Sequence, residues 1–398
     1  MTIKDILVKE IFDSRGEPTI EVVLVNEKDE KFSAQIPSGK SRGSREATAL
    51  PYGRAAGAAR EILKKEVVGR VFDSIGALDS LLIELDGTSR KERIGGNLIL
   101  GCSIALSRGL AAEQEAEIWQ VLRREFFPDS GMRLPRIFSN LINGGVHAEN
   151  NLDIQEYLAV VEAKESIAES FEKLVGFYGS LGESLKKENN LSEIALGDEG
   201  GYSLNFKNNF EPIRILEKKI LGSKLEREFS VGIDVAASSF YRDGRYKFGG
   251  QFLDSKELLA VYSDYFKESE SLCSMEDPFS EDDGRSFGAL LNSAKGKLVV
   301  GDDLTVTDPR TIGEAGKRRF INGVIIKPNQ IGTISESCEA IKVARAQEIE
   351  CIVSHRSGET GDNFIIHLAR ASNAYGVKIG APVRERLSKF EELIRIYK

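Results

Sequence analysis

The first forty residues alternate between apolar and polar positions with the period of two that a half-buried strand produces. Apolar side chains recur in this way over residues 6–8, 20–24 and 32–36. The polar stretch NEKD, residues 26–29, separates the last two runs as a hairpin turn would. The pattern predicts an N-terminal meander of three strands.

The apolar residues then change to a helical spacing, in Ala-rich stretches over residues 45–68 and 97–124. Strands followed by helices are typical of a small α+β unit. The stretch FPDSG, residues 127–131, is the strongest cluster of helix- and strand-breaking residues in the chain. We therefore predict an α+β domain over residues 1–127 and a second domain over residues 133–398.

In the second domain, short apolar runs recur, and a helical stretch follows each. The runs are SVGID, SLCSME, KLVVGDD, NGVIIK, ECIVSHR and GVKIG. Their spacing matches one strand plus one helix, except that the first interval is longer and predicts an extra hairpin. Such a train predicts a parallel sheet covered by helices, and its length is close to the ~250 residues of a (β/α)₈ TIM-type barrel.

Charged side chains stand at the ends of these runs, and a barrel brings its strand ends together at one mouth. Ordinary solvent-facing charge explains one or two of them, but three acids followed by three basic positions predict a single site. These residues are Asp234, Glu276, Asp302, Lys327, the His355–Arg356 pair and Lys378.

Composition narrows the class of protein. Hydrophobic residues make up 41% of the chain and charged residues 29%, as in globular proteins with a large core. No apolar run approaches the ~18 residues of a membrane-spanning helix, and the first residues lack the apolar segment of a secretory signal, so we expect a cytoplasmic protein. The net charge of −8, with no basic block, argues against nucleic-acid binding. The four cysteines form no CxxC pair, which favours free thiols.

The acids and the first base suggest metal chemistry. Asp234, Glu276 and Asp302 form an oxygen-only ligand set, which suits Mg²⁺, although an ordinary acidic rim is the plain alternative. Lys327 faces these acids or their metal, and nearby cations lower the pKa of a lysine so that it can act as a base. A structural ion pair is an equally compatible interpretation of this lysine.

Two loops add groups suited to an anionic ligand. SHRSGE, residues 354–359, includes a guanidinium that can bind phosphate or carboxylate in bidentate fashion. GDEGG, residues 197–201, allows close backbone approach, although a simple turn also explains it. His367 fits a helix face and is predicted to be structural. PSGKS, residues 37–41, lacks the first glycine of a P-loop, so we reject that motif.

Ten ordered stretches across the chain form one recognisable set. They are DSRGEPTIEV, IPSGKSRGSREA, INGGVHAENNLDIQEY, GDEGGY, DVAASSFY, MEDPFSEDD, VGDDLTVTDP, IIKPNQIGT, SHRSGET and IGAPVRERLSK. Together they resemble the enolase family, and the resemblance covers nearly the whole chain. It implies a barrel that starts ββαα before six βα units, preceded by a smaller domain that carries a mobile loop at residues 38–45. It also implies Mg²⁺-dependent, reversible dehydration of 2-phospho-D-glycerate to phosphoenolpyruvate, in glycolysis and gluconeogenesis.

The resemblance also implies roles for individual residues. Lys327 matches the base that removes the C2 proton, and Glu199 the acid that helps to expel the C3 hydroxyl, with Glu156 and His355 beside them. Asp234, Glu276 and Asp302 match the ligands of a first Mg²⁺, and Ser41 that of a second, which arrives with substrate. The matching substrate contacts are Arg356 and Ser357 for phosphate, Lys378 for carboxylate, and His147, Gln155 and Ser41.

The chain departs from the family's usual pattern in a few places. The mobile loop reads SGKSRG where the family usually has SGASTG, which adds Lys40 and Arg42, and Ser239 replaces a usual acid. These changes leave open an enolase-like protein with weak or altered activity on another carboxylate, or one retained for partner binding. The resemblance further implies a homodimer or a larger even oligomer.

Overall fold

The N-terminal sheet has the three antiparallel strands that the alternation predicts. They are β1 (Ile3–Phe12), β2 (Pro18–Asn26) and β3 (Lys31–Gln35), with β2 in the centre. The Asn26 side chain accepts hydrogen bonds from the backbone N–H groups of Lys28 and Glu30, which fixes the turn between β2 and β3. The computed structural model describes residues 1–40 and 43–398.

Helices pack against this sheet, but their extents differ from the predictions. They are α1 (Tyr52–Ala58), a π-helical turn (Ala59–Leu63), α2 (Lys64–Glu66), α3 (Ile75–Asp86), α4 (Gly96–Glu113) and α5 (Ile118–Phe126).

Two predictions for these helices are wrong in detail, and one helix was missed. The helix predicted from residue 45 starts at Tyr52, because the backbone N–H groups of Ala47 and Thr48 donate to distant carbonyls instead of to a helical turn. The helix predicted over 97–124 is broken between α4 and α5, where Glu115 adopts a left-handed φ of 48°. The helix α3 was not predicted.

Between residues 136 and 379, all of which the structure describes, eight strands close into the predicted barrel. The strands are β4 (Arg136–Asn143), β5 (Glu156–Val161), β8 (Phe229–Asp234), β12 (Leu272–Glu276), β13 (Leu298–Gly301), β14 (Gly323–Ile326), β15 (Glu350–Ser354) and β16 (Gly376–Ile379). β4 pairs with β5 and β5 with β8 in antiparallel fashion, whereas the remaining barrel pairs are parallel, including the closing pair. This is the ββαα(βα)₆ arrangement.

Short strands lie outside the barrel, and helices cover it. The predicted extra hairpin is a small antiparallel sheet of β9 (Tyr241–Arg242), β10 (Arg245–Phe248) and β11 (Gln251–Leu253), and a second pair is β6 (Ala195–Leu196) with β7 (Tyr202–Ser203). None of the helices in the two described ranges is long and apolar enough to cross a bilayer. The helices of this part are α6 (Ile167–Asn189), α7 (Glu211–Gly222), α8 (Ser255–Glu268), α9 (Gly284–Ser293), α10 (Pro309–Lys317), α11 (Pro328–Ile331), α12 (Ile334–Ala346), α13 (Phe364–Ala371) and α14 (Leu387–Ile396).

The start of the predicted mobile loop lies against the barrel mouth. The backbone N–H of Ser38 donates to the carbonyl of Gly358 (2.8 Å), and the N–H of Gly358 donates back to the carbonyl of Ser38 (2.9 Å). A side chain at Gly358 would overlap the Asp13 carboxylate, with only 2.0 Å between the atoms. This glycine therefore allows the N-terminal part to approach the barrel closely.

Candidate active site

A cleft opens where the barrel strands end. It gathers most of the predicted site residues. There are two exceptions. Glu276, the last residue of β12, does not line the cleft but accepts a hydrogen bond from Lys378. Ser41 lies outside the described residues. The lining consists of His147, Gln155, Glu156, Glu199, Asp234, Ala236, Asp277, Asp302, Asp303, Lys327, Ser354, His355, Arg356, Ser357 and Lys378.

Lys378 holds the acidic side of the cleft together. Its Nζ donates to Asp234 Oδ2 (2.9 Å) and to Glu276 Oε2 (2.8 Å), and it lies 3.0 Å from Glu156 Oε2. Burial opposes the charge of this lysine, but the three carboxylates outweigh it and hold the pKa of Lys378 well above its usual range. The cation offsets the repulsion among acids that end neighbouring strands.

The donor set on this side fits a hard divalent cation. Asp234 and Glu276 both direct an oxygen at one point, since each lies within hydrogen-bond distance of the same Nζ. The second oxygen of Glu276 is buried without a hydrogen-bond partner. Carboxylate oxygens with spare acceptor capacity are the ligands that Mg²⁺ prefers. Asp302 has other partners in this structure, and its carboxylate lies within 4.8 Å of those of Asp277 and Asp303.

Lys327 pairs with Asp302 at the end of the adjacent strand. Its Nζ donates to Asp302 Oδ2, while Gln330 Nε2 donates to Oδ1 of the same carboxylate (2.9 Å). Burial acts to lower the pKa of Lys327, but the surrounding carboxylates, Asp302 above all, raise it above the usual value. Arg356 and Lys378 act to lower this pKa, as neighbouring cations should, but the negative charge in contact with Nζ has the larger effect.

Glu156 and Glu199 form an interacting pair, and Glu156 also contacts Lys378. Their carboxylates and the His147 ring have ligand atoms within 4.8 Å of one another. Burial and the Glu199 charge raise the pKa of Glu156 well above its usual value. Glu199 is also buried, but the neighbouring His355, His147 and Lys378 together outweigh burial and lower the pKa of Glu199. The two carboxyl groups therefore differ in proton affinity, and Glu156 is the one that binds a proton more readily.

Hydrogen bonds and imidazoles position Glu199. Its Oε2 accepts from Asn140 Nδ2 (3.1 Å) and lies 3.4 Å from His355 Nε2. His147 Nδ1 lies 3.8 Å from both Glu156 Oε1 and Glu199 Oε1. Burial lowers the pKa of both histidines. Two imidazoles therefore flank the pair, where each can accept or pass a proton.

The loop that carries Glu199 needs its glycines. A Cβ at Gly197 would lie 2.7 Å from Asn143 atoms, and one at Gly201 would lie 2.5 Å from Asn143 Oδ1. The Gly201 N–H donates to that same oxygen (3.0 Å), which ties the loop to the end of β4. Gly200 adopts a φ of +83°. The GDEGG stretch is therefore a close-packed support for the acid rather than a free surface turn.

Arg356 makes a contact that the sequence did not predict. Its guanidinium donates to both oxygens of Glu46 (3.1 Å each) and to Asn329 Oδ1 (3.0 Å). Burial opposes the charge of Arg356, but Glu46 raises its pKa above the usual value. Glu46 comes from the N-terminal part of the chain, so both parts build this site. A glutamate at the end of a loop has no distinguishing pattern in the sequence.

Asp277 and Asp303 are further acids that the sequence analysis did not assign to the site. Asp277 accepts hydrogen bonds from the backbone N–H groups of Asp302 (2.9 Å) and Asp303 (2.7 Å), so it shapes the turn after β13. Burial and the nearby Asp302 charge raise the pKa of Asp303 to about 7. Gln155 lines the cleft with a buried Oε1 that has no hydrogen-bond partner. His367 lies outside the cleft lining and pairs with Glu392 at 2.8 Å, which agrees with a structural role.

Family models match both parts of the chain. The model described as enolase, N-terminal domain, matches residues 3–122, and the model described as enolase, C-terminal TIM barrel domain, matches residues 131–398. The chain belongs to the enolase family. As a member of that family it is an enzyme of the hydro-lyase class.

Curated enolases match over almost the whole chain. The enolase of Aeropyrum pernix is 40% identical over 97% of this chain and 92% of its own length. Enolase 2 of Lactobacillus johnsonii is 38% identical, with the same shares of each chain covered. Enolase 2 of Lactococcus lactis subsp. lactis is also 38% identical, over 100% of this chain and 96% of its own. The family and the fold class inferred from the sequence motifs are therefore confirmed.

Proposed function

We propose that this enolase-family chain dehydrates 2-phospho-D-glycerate to phosphoenolpyruvate reversibly and with Mg²⁺. The reaction needs a base at C2, a proton donor for the C3 hydroxyl, and cations for two anionic groups. The observation that carries the proposal is that one cleft holds candidates for all three. They are the buried Lys327, the neighbouring carboxyl groups of Glu156 and Glu199, and further cations beside them.

Lys327 is the proposed base. To accept the C2 proton, its Nζ must be neutral, so the ion pair with Asp302 has to be weakened before the proton moves. Asp234, Glu276 and Asp302 are the proposed Mg²⁺ ligands. When bound, Mg²⁺ supplies positive charge that stabilises the negative charge developing on the substrate carboxylate.

The Glu156–Glu199 pair is the proposed source of the proton that leaves with the C3 hydroxyl as water. Glu199 keeps the role of acid suggested by the family resemblance, and the raised pKa of Glu156 supports a second member of the pair that holds the proton at rest. His147 and His355 flank the pair at hydrogen-bond range or slightly beyond. The base and the acid then serve different carbons, so the two bond cleavages can occur in separate steps.

Cations provide the proposed contacts for the substrate's anionic groups. Arg356 and Ser357 would bind the phosphate, and Lys378 the carboxylate, with Gln155 beside them. The Arg356–Glu46 contact is bidentate, which is also the geometry in which a guanidinium binds phosphate. Glu46 and the phosphate therefore compete for one guanidinium face. Ser41, the proposed ligand of a second Mg²⁺ that arrives with substrate, lies outside the described residues.

Three further proposals rest on the sequence patterns and on the family resemblance. These are a division into domains 1–127 and 133–398, a cytoplasmic location, and assembly as a homodimer or larger even oligomer. Sedimentation velocity of the full chain tests the assembly, and a monomer at micromolar concentration would contradict it.

Ultraviolet absorbance of the new enol double bond tests the activity directly. We expect absorbance to rise when 2-phosphoglycerate and Mg²⁺ are added, and to stay flat with a chelator or in Lys327→Ala. Lys317→Ala removes an exposed lysine at the end of α10 and should behave as wild type. A folded wild type that Mg²⁺ stabilises against heat, but that gives no absorbance change, would overturn the proposal. Unphosphorylated carboxylic acids would then be the next substrates to assay.

A further inference from the structure

Lys40 spans two loops that carry proposed site residues. Its Nζ donates to Asp198 Oδ2 at 2.8 Å, and its backbone N–H donates to Ser357 Oγ at 2.9 Å. Asp198 directly precedes Glu199, the proposed acid, and Ser357 is a proposed phosphate contact. One residue from the N-terminal part of the chain is thus bonded to both of these loops.

A second cation, Arg386, also joins these two loops. The guanidinium of Arg386 is buried and donates to the carbonyls of Ser357 (2.8 Å) and Asp198 (3.4 Å). The N–H of Asp198 donates to the carbonyl of His147 (3.2 Å). A shift of this loop would therefore also move the His147 ring, which lies beside Glu156 and Glu199. Lys40 and Arg386 therefore bond to the same two loops, which carry Asp198 and Ser357.

The Lys40–Asp198 contact lies at the rim, where water weakens it. The Lys40 side chain is 45% exposed and that of Asp198 25%. Arg15 and Glu17 line the same surface depression, together with Ser38 and Pro18. An ion pair at such a site contributes modestly and is screened by salt. This predicts a small, salt-sensitive effect on the site rather than a large effect on folding.

We propose that Lys40 is a positioning residue, which acts through Asp198 to hold the Glu199 loop against the Ser357 loop. The inference rests on the proposed function and deepens it. The alternative is that the Lys40 cation simply attracts the anionic substrate. The two roles make opposite predictions for Asp198, because removing that acid breaks a positioning contact but strengthens a bare attraction.

Steady-state kinetics of Lys40→Ala, Asp198→Ala and the double variant separates these roles. If Lys40 positions the loop, each single change raises KM for 2-phosphoglycerate about two- to fivefold, and the double variant is no worse than either single one. Lys40→Arg should recover most of the loss. Raising KCl to about 0.5 M should bring wild type toward the variants.

Lys4→Ala is the matched control, because Lys4 makes an ion pair with Asp29 (2.6 Å) at the N-terminal hairpin, away from the cleft. It should leave KM unchanged. A lower KM in Asp198→Ala, or additive effects in the double variant, would overturn the positioning role. An effect of Lys4→Ala equal to that of Lys40→Ala would do the same.

Hydrogen–deuterium exchange provides a readout that does not require activity. Peptides that cover residues 36–40 and 197–201 should exchange faster in both single variants than in wild type, since the contact orders both loops. Unchanged exchange in both variants would contradict the inference even if KM changes. A wild type without hydratase activity would instead refute the proposed function, and the exchange experiment would still test the contact.

Discussion

The two ends of the barrel's interior are built from the same strands but carry opposite kinds of side chain. At one end, apolar residues from opposite sides of the barrel pack into a single buried cluster of Phe138, Leu158, Val160, Val300, Ile325 and Ile352. Two residues further along three of these strands are Asp302, Lys327 and Ser354. Because side chains in a strand alternate with a period of two, each of these polar residues lies above an apolar one.

The two ends also differ in what burial does to stability. Each apolar side chain of the lower cluster contributes about 1.5–3 kcal/mol when removed from water. Each buried charge at the mouth instead costs free energy, which its partners only partly return. The apolar end of the barrel thus stabilises the fold. The mouth, where the chemistry is proposed, lowers the stability because charged groups are buried there.

The largest expected effect concerns the proposed base at the mouth. Lys327→Ala should lower kcat about 10³-fold, since a positioned general base contributes roughly 10²–10⁴. It should also destabilise the protein, because the buried Asp302 loses the cation paired with it, although the Ile325 cluster below stays intact. Parallel measurement of kcat and of the urea midpoint checks this, and a variant that retains more than a tenth of the wild-type kcat would rule out Lys327 as the base.

Lys378→Met should mainly damage stability in the absence of Mg²⁺. It removes the cation from between Asp234, Glu276 and Glu156, and an uncompensated buried charge costs about 3–5 kcal/mol. Urea unfolding in chelator should reveal the loss, and added Mg²⁺ should return part of it. A variant as stable as wild type in chelator would mean that this cation does not offset the acids.

Ile325→Ala tests the other end of the same interior. Ile325 is fully buried, so truncation should destabilise the protein by about 3 kcal/mol through lost burial and a cavity. We expect kcat to change less than threefold at a temperature where the variant is folded. A large loss of kcat with little loss of stability would contradict the division of roles between the two ends.

Asp79, a buried acid outside the barrel, shows how burial changes the pKa of a carboxyl group that has no cation beside it in the described part of the chain. Asp79 on α3 accepts hydrogen bonds from the N–H (2.9 Å) and hydroxyl (2.7 Å) of Ser335. Burial raises the pKa of Asp79 to about 6, with Ser103 and Ser335 opposing the rise and Glu336 adding to it. At the mouth, in contrast, Lys327 outweighs burial and lowers the pKa of Asp302.

The raised pKa of Asp79 predicts a pH-dependent stability. The folded state binds the proton more tightly than the unfolded chain, so this stabilisation is complete below about pH 4 and is lost as pH rises through about 6. Asp79→Asn should therefore gain at most about 3 kcal/mol over wild type at pH 8 and little at pH 4. Unfolding by urea at both pH values measures this difference, and a gain that does not depend on pH would contradict the linkage.

The motifs located most of the site, because strand periodicity and chain order carry that information. Asp234, Glu276 and Lys378 follow recognisable apolar runs, and a barrel must bring such positions to one mouth. The extra hairpin was readable in this way, whereas the ββαα start and the membership of the family came from the resemblance of the ten motifs. Helix limits were less accurate, since the bonds that hold residues 47 and 48 are made to distant segments.

Partners across the chain were decided by the tertiary structure alone. Nothing in the sequence pairs Glu46 with Arg356 or Lys40 with Asp198, because each pair joins residues far apart in the chain and depends on how the N-terminal part lies over the barrel. The proton affinities of the buried acids were also decided by the tertiary structure. The sequence supplies two glutamates of equal intrinsic pKa, and only burial and the neighbouring charges make Glu156 and Glu199 different.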